Sequence, residues 1–231
     1  MSAHRILTSA GPIPVKKLLT GLFVVAFACL EPSIAAATLI DFSSFSQAGT
    51  GFNNLGTSVN QSGFHFTSTG GPVGDALGVW QASSPDHPAG GAATTSLTEF
   101  FRDSHTTMTA LSGGTFALTA IDLAPWRLDT EAGVVAGTFS VTFTGRHPDN
   151  STVTETFTVA RASGLPVLQH FTFTGFTDLA DVEAVQGVFV NGTAYQFDNI
   201  DVTVTPEPST LLLLGSSLSA LPVLARRRRS K

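Results

Sequence analysis

The 231-residue chain is short of cations where it matters, and it has one cysteine, Cys29. None of its lysines falls between Thr38 and Thr205: Lys16 and Lys17 precede that stretch and Lys231 ends the chain. The stretch holds four arginines (Arg102, Arg127, Arg146 and Arg161) against fifteen acids, a formal charge of −11 within a total of −5. So few cations release few phosphate counterions, which argues against nucleic-acid binding. With Cys29 confined to the N-terminal segment, the rest of the chain has neither a disulfide framework nor a thiolate metal site. The metalloprotease pattern H-E-x-x-H, the nucleophile elbow G-x-S-x-G and the phosphate loop G-x-x-x-x-G-K-[ST] are absent too.

The cations that remain are gathered at the ends. Arg5, Lys16 and Lys17 lead into the apolar run 18–30, followed by Pro32 and Ala35-Ala36-Ala37. A positive start, an apolar stretch too short for a comfortable span and a small-residue site together read as a secretory signal peptide. Residues 1–37 are expected to be removed by cleavage after Ala37, with Ala35 and Ala37 as the recognition pair. Cys29 leaves with them. A lipoprotein reading at Cys29 is disfavoured by Phe27 and Ala28 before it and by Glu31-Pro32 after it.

The C-terminus carries Pro206-Glu207-Pro208, an apolar run from Thr210 to Ala225, and Arg226-Arg227-Arg228-Arg229. A helix over that run reaches about 24 Å against a hydrocarbon core of about 30 Å. It is a marginal span, and Pro222 weakens its last turn. The arginine block supports insertion from outside with the basic end held on the cytoplasmic face. The two prolines keep the motif extended ahead of the helix.

This ordered triple over residues 206–231 resembles the PEP-CTERM sorting signal of Gram-negative bacteria. The resemblance implies recognition of Pro206, Glu207 and Pro208 by an exosortase and a transient membrane anchor. It also implies delivery of the cleaved product to the cell surface or the exopolysaccharide matrix, in the manner of other removable C-terminal tails.

Between these addresses, residues 38–205 alternate with period two. Thr138-Phe139-Ser140-Val141-Thr142-Phe143-Thr144 is strict, and Gly63–Thr67, Val153–Val159 and Phe171–Thr174 repeat the pattern. Such runs are half-buried strands with Phe and Val inward and Thr outward. Turn clusters at 70–72, 90–91, 113–114, 146–150 and 163–166 separate them. The expectation is an all-β domain, a jelly-roll-like antiparallel β-sandwich of roughly 8–11 strands. Tyr195 and Phe197 share one parity while Ile200, Val202 and Val204 share the other, so a bulge is expected at Asp198-Asn199. Phe197-Asp198-Asn199-Ile200 and Leu39-Ile40-Asp41-Phe42 also look like the last and first strands of β-sandwich domains in PEP-CTERM proteins.

Few residues suggest chemistry. His65, His87, His105, His147 and His170 show no ligand spacing, and lone histidines in strands are usually structural. Paired carboxylates suited to glycoside hydrolysis would have to meet in space; Asp178, Asp181 and Glu183, or Asp129 and Glu131, are the groupings available, and solvated loops explain both. No catalytic residue is expected. Calcium is the metal best matched to the oxygen donors here. Asp41, Asp198, Asn199 and Asp201 would converge if the first and last strands are neighbours, but turn and bulge residues bonding their own backbone explain them more simply, and no metal site is assigned. Trp80 and Trp126 are candidate sugar contacts, against the usual burial of tryptophan.

Three readings follow. The first is a non-enzymatic structural or adhesive β-sandwich, exported and sorted to the surface or matrix. The second is a carbohydrate-binding module acting on exopolysaccharide, which needs an exposed tryptophan. The third is a secreted hydrolase, which needs facing acids in a cleft.

Overall fold

The computed structural model describes residues 36–70, 77–88, 95–99, 104–125, 137–161, 165–186 and 195–205, all inside one compact unit, Ala35–Glu207. The sorting motif, the arginine block, most of the signal segment and Trp126 lie outside the described residues. In chain order the first strands are β1 (Ala36–Ile40), β2 (Phe52–Gly56), β3 (Ser58–Gln61), β4 (Phe64–Thr69), β5 (Leu77–Trp80), β6 (Leu97–Glu99) and β7 (His105–Ala110). There follow β8 (Phe116–Pro125), β9 (Gly137–Arg146), β10 (Thr152–Arg161), β11 (Gln169–Thr172), β12 (Asp181–Gln186) and β13 (Tyr195–Val204).

These strands form two antiparallel sheets. One has six strands in the order β10-β9-β12-β7-β4-β3. The other has seven, in the order β11-β8-β13-β6-β5-β2, with β1 also pairing β13. The count exceeds the number expected because β2, β3, β5 and β6 are three to five residues long, too short for an alternation to stand out in the sequence. In β5, for example, Leu77, Gly78 and Val79 are all buried. The strand expected over 171–174 instead covers Gln169–Thr172.

The long strands obey their pattern. In β9 the residues Phe139, Val141 and Phe143 are buried, and the serine and threonines between them face out. Facing threonines on β9 and β10 bond across the outer surface, Thr142 to Thr156 at 2.9 Å. Ser62 (φ +50°) and Gly63 (φ +84°) join β3 to β4 in a two-residue turn with both central residues left-handed, the geometry that matches strand twist.

Phenylalanine holds the sheets face to face. Phe64 of β4 meets Phe116 of β8 edge-on at 5.2 Å between ring centroids. Phe42, just after β1, packs edge-on against Phe66 at 5.4 Å and Phe197 at 5.7 Å. Each ring buried in this way contributes about 1.5–3 kcal/mol relative to exposure. Beside β10, Phe157 stacks on Phe171 at 4.9 Å and meets Phe173 at 5.0 Å, closing that side of the sandwich. The side-chain amide of Gln169 mimics a further strand there, bonding the N–H of Ala160 at 3.0 Å and its carbonyl at 2.8 Å.

The last strand changes parity as expected. Its register against β8 shifts between Asp198 and Asp201, and Asn199 sits at φ +47°. Tyr195, Phe197, Ile200 and Val202 are all buried on the core side as a result. The first and last strands are neighbours, with Ile40 opposite Ile200 and Thr38 opposite Val202.

Candidate functional site

Two places on the outer face of the seven-stranded sheet carry side chains that core packing does not require. The first lies at its β2–β5 edge. Leu77 and Val79 point into the core, so Gly78 and Trp80 point outward. Phe52 stands opposite Trp80, and the two rings meet tilted at 59° with centroids 4.8 Å apart. Gly78 makes this possible: a Cβ there would lie 2.2 Å from the Phe52 ring and 2.6 Å from the Asn53 carbonyl oxygen. Phe52 and Trp80 are both half-buried, so this aromatic pair presents part of its surface to solvent.

Residues 81–88 follow Trp80 and fold over the same face. Gln81 accepts a bond from the Gly51 amide at 2.8 Å. Further along, the side chain of Gln196 on β13 donates to the carbonyls of Asp86 at 2.9 Å and Pro125 at 3.2 Å, and accepts from Ser96 at 2.9 Å. Gln196 is therefore wholly buried although it points away from the core. Ala82–Pro85, His87, Pro88 and Leu165 line a shallow open groove beside this cover.

The second place is the bulge of β13. β6 pairs with Tyr195–Phe197 and β1 with residues from Ile200 onward, which leaves Asp198 and Asn199 between those two neighbours. Asp198 faces outward opposite Asp122 of β8, yet it is 0% exposed and neither carboxylate oxygen has a hydrogen-bond partner. Burial is the largest influence on it and pushes its pKa up to about 7. The amides of Asn199 and Phe42 pull the other way without reaching hydrogen-bond geometry, and the charges of Asp41 and Asp122 push it up further.

The surrounding groups are well ordered by comparison. Asp122 accepts from Asn199 Nδ2 at 2.8 Å through one oxygen, and its other oxygen lies 2.8 Å from His170 Nδ1. Asp41 accepts from the Ser43 amide at 3.2 Å and hydroxyl at 2.7 Å. So Asp41, Asp198 and Asn199 do converge, as the sequence suggested. Asp201 does not: it is exposed beyond the bulge, and its carbonyl accepts from Thr119. Asp122 and His170 take part instead. Nothing in their sequence surroundings marks them, because only the pairing of β8 with β11 and β13 brings them here.

The other candidates are placed as follows. Trp80 belongs to the aromatic pair; Trp126 lies outside the described residues, as do Ala35, Pro206, Glu207, Pro208 and Arg226 to Arg229. Ala37 lies in β1, opposite Thr203. Asp181 is bound to Arg146 and Glu183 to His105 at 2.8 Å, so these acids are engaged in separate pairs. A core void of about 30 Å³ lined by Phe66, Met108 and Leu118 among others is too small for a sugar ring. Tyr195 stays a phenol, because burial pushes its hydroxyl far up; it donates to Thr106, which donates to Glu99. Among the described residues, no three His, Cys, Asp or Glu side chains are grouped tightly enough to hold a metal ion by themselves.

No family model matches the chain, and no curated protein matches it. Solved structures similar to it include the K2 cleaved adhesin domain of Lys-gingipain, at 12% identity and TM-score 0.44 over 74% of this chain and 99% of that one. A mutant of CBM29-2, a family 29 carbohydrate-binding module, is 11% identical with TM-score 0.39 over 74% and 92%. The CBM22-1 xylan-binding domain of Xyn10C from Paenibacillus barcinonensis is 12% identical with TM-score 0.34 over 70% and 98%. Likenesses at this level carry no functional argument.

Proposed function

We propose that the chain is an exported cell-surface or exopolysaccharide-matrix protein. Residues 1–37 direct export, residues 206–231 anchor it briefly in the membrane, and an exosortase cleaves it near Pro206-Glu207-Pro208. The exported part is a jelly-roll-like sandwich with a structural or adhesive role and no catalytic one. The observation that carries this reading is the order motif, apolar run and arginine block, starting two residues after β13 ends at Val204. The limits of the folded unit, Ala35 and Glu207, support it by overlapping each of the two segments assigned to transport by no more than three residues.

The test is fractionation of cells that carry an exosortase and express either the parent chain or Glu207→Ala. The parent is expected at the surface with both ends trimmed, as read by mass spectrometry. The variant is expected to stay in the membrane at full C-terminal length. A variant that reaches the surface with the parent's C-terminus would remove the sorting assignment.

The Phe52–Trp80 pair favours a second reading, a sandwich that holds exopolysaccharide by stacking a sugar on an aromatic face. Aromatic pairs that keep part of their surface in water suit that role, since they combine packing area with solvent-accessible ring surface. Soluble acidic and neutral polysaccharides are expected to shift tryptophan fluorescence in the parent. Trp80→Ala is expected to lose most of the binding measured by calorimetry. Unchanged binding by Trp80→Ala would rule this pair out as the platform.

A further inference from the structure

Asp198 poses a problem that the other described residues do not solve. Its carboxylate is wholly buried and both oxygens lack a hydrogen-bond partner. A buried carboxylate in that state is held by an ion or a proton, or it destabilises the fold. Two of the four arginines of the lysine-free body are described, and neither serves it. Arg146 is bound to Asp181, and Arg161 lies on β10, at the far edge of the opposite sheet. The charges acting on Asp198 are those of Asp41 and Asp122, both of its own sign.

We propose that the bulge of β13 is a divalent-cation site of the calcium type, with Asp198 as its inner ligand. Among the described residues, Asp41, Asp122 and Asn199 around Asp198 carry oxygen donors, and the imidazole of His170 is held by Asp122. Asn199 is oriented by Asp122: a carboxylate only accepts, so the Asn199 NH₂ must face it, and the amide oxygen is turned the other way. Asp41 and Asp122 supply negative field from the two flanks. Calcium takes about six to eight oxygens, and carbonyls, amides and water fill most of those places. One inner carboxylate with two nearby is therefore enough, and a tight trio of acids is not required. Zinc does not fit, since the imidazole next to Asp122, that of His170, is turned to Asp122.

The location explains what the ion would do. It would join the turn after β1 to the bulge of β13, where β6 has ended its pairing and β1 has begun its own. First and last strands would be tied where the pairing of β13 with β8 is interrupted.

The test uses the full chain purified in a mild detergent and stripped with a chelator. Millimolar calcium is expected to raise the melting temperature by about 5–10 °C when it exceeds the dissociation constant about a hundredfold. Calorimetry is expected to show one ion bound per chain. Asp198→Asn keeps the shape and removes the charge; it is expected to fold, as read by circular dichroism, and to lose both the increment and the bound ion. Asp201→Asn, on the exposed side of the bulge, is expected to retain both. The proposal is overturned if the parent neither binds calcium nor melts higher with it. It is also overturned if Asp198→Asn keeps the increment, or if magnesium gives the same rise at the same concentration, since either result means diffuse binding to an acidic surface.

Discussion

Asp198 sets the sharpest expectation for the metal-free protein. Its pKa is raised from 3.8 to about 7, chiefly by burial. At about 1.4 kcal/mol per pKa unit, ionised Asp198 costs the fold about 4 kcal/mol at pH 8 relative to a neutral isostere. The sign follows from the direction of the shift. A carboxylate whose folded pKa lies above its unfolded one binds the proton more tightly in the fold, so stability rises as pH falls through 7 toward 3.8. At pH 5 the folded group is protonated, and the remaining cost is about 1.7 kcal/mol because the unfolded chain is still ionised. Asp198→Asn carries no such dependence. Its stability advantage over the parent should therefore shrink by about 2–3 kcal/mol between pH 8 and pH 5, or about 5–10 °C in melting temperature. The assay is urea unfolding of both proteins in chelator at the two pH values. Taking the difference cancels the histidines, which both proteins share. An advantage that is the same at both pH values would mean that Asp198 ionises in the fold without cost, and the argument from burial would be wrong.

Two further substitutions test the packing. Phe197 sits between Phe42, Phe66 and Tyr195, with ring centroids 5.7, 6.1 and 5.8 Å away; Phe197→Ala is expected to cost about 3–5 kcal/mol in urea unfolding, and a loss below about 1 kcal/mol would contradict the assigned core. Gly78→Ala puts a methyl 2.2 Å from the Phe52 ring; it is expected to cost about 1–3 kcal/mol and to shift tryptophan emission as the ring moves off Trp80, whereas unchanged emission would mean that the pair is not packed over Gly78.

The alternation of Thr with Phe and Val makes β9 and β10 legible in the sequence, because a two-residue period on a half-buried sheet leaves few other solutions. The bulge of β13 is legible for the same reason: apolar residues change parity at Asp198-Asn199, and only an irregularity keeps both sets in the core. The short outer strands are not. β5 is buried along most of its length and β6 throughout, so neither has a solvent-facing side to set a period. The sites are harder still. Nothing local relates Phe52 to Trp80 or Asp122 to Asp198; those pairs exist because distant strands register against one another. Gln196 shows the limit most clearly. Its parity marks it as facing outward, and it does, but residues 81–88 cover it, and Asp86, Pro125 and Ser96 satisfy its amide. Parity tells which face a residue takes, and only tertiary structure tells whether that face is wet.

The scarcity of cations in the body has a structural consequence that composition alone does not reveal. An acidic surface needs no cations, since water solvates each carboxylate. Burial is the exception, and several described acids of this chain, buried or not, have a partner. Asp181 borrows Arg146, one of four arginines in the body, and Glu183 and Asp122 make do with histidines. Asp149, exposed at a hairpin, is held below the usual carboxylate range by the hydroxyl and amide of Ser151. Among the described residues Asp198 has none of these: no arginine, no histidine and no donor in hydrogen-bond geometry. An aspartate without charge compensation at the junction of first and last strands is costly as an anion. It becomes favourable only when something from solution completes it, so the stability of this fold should depend on what the surrounding medium supplies.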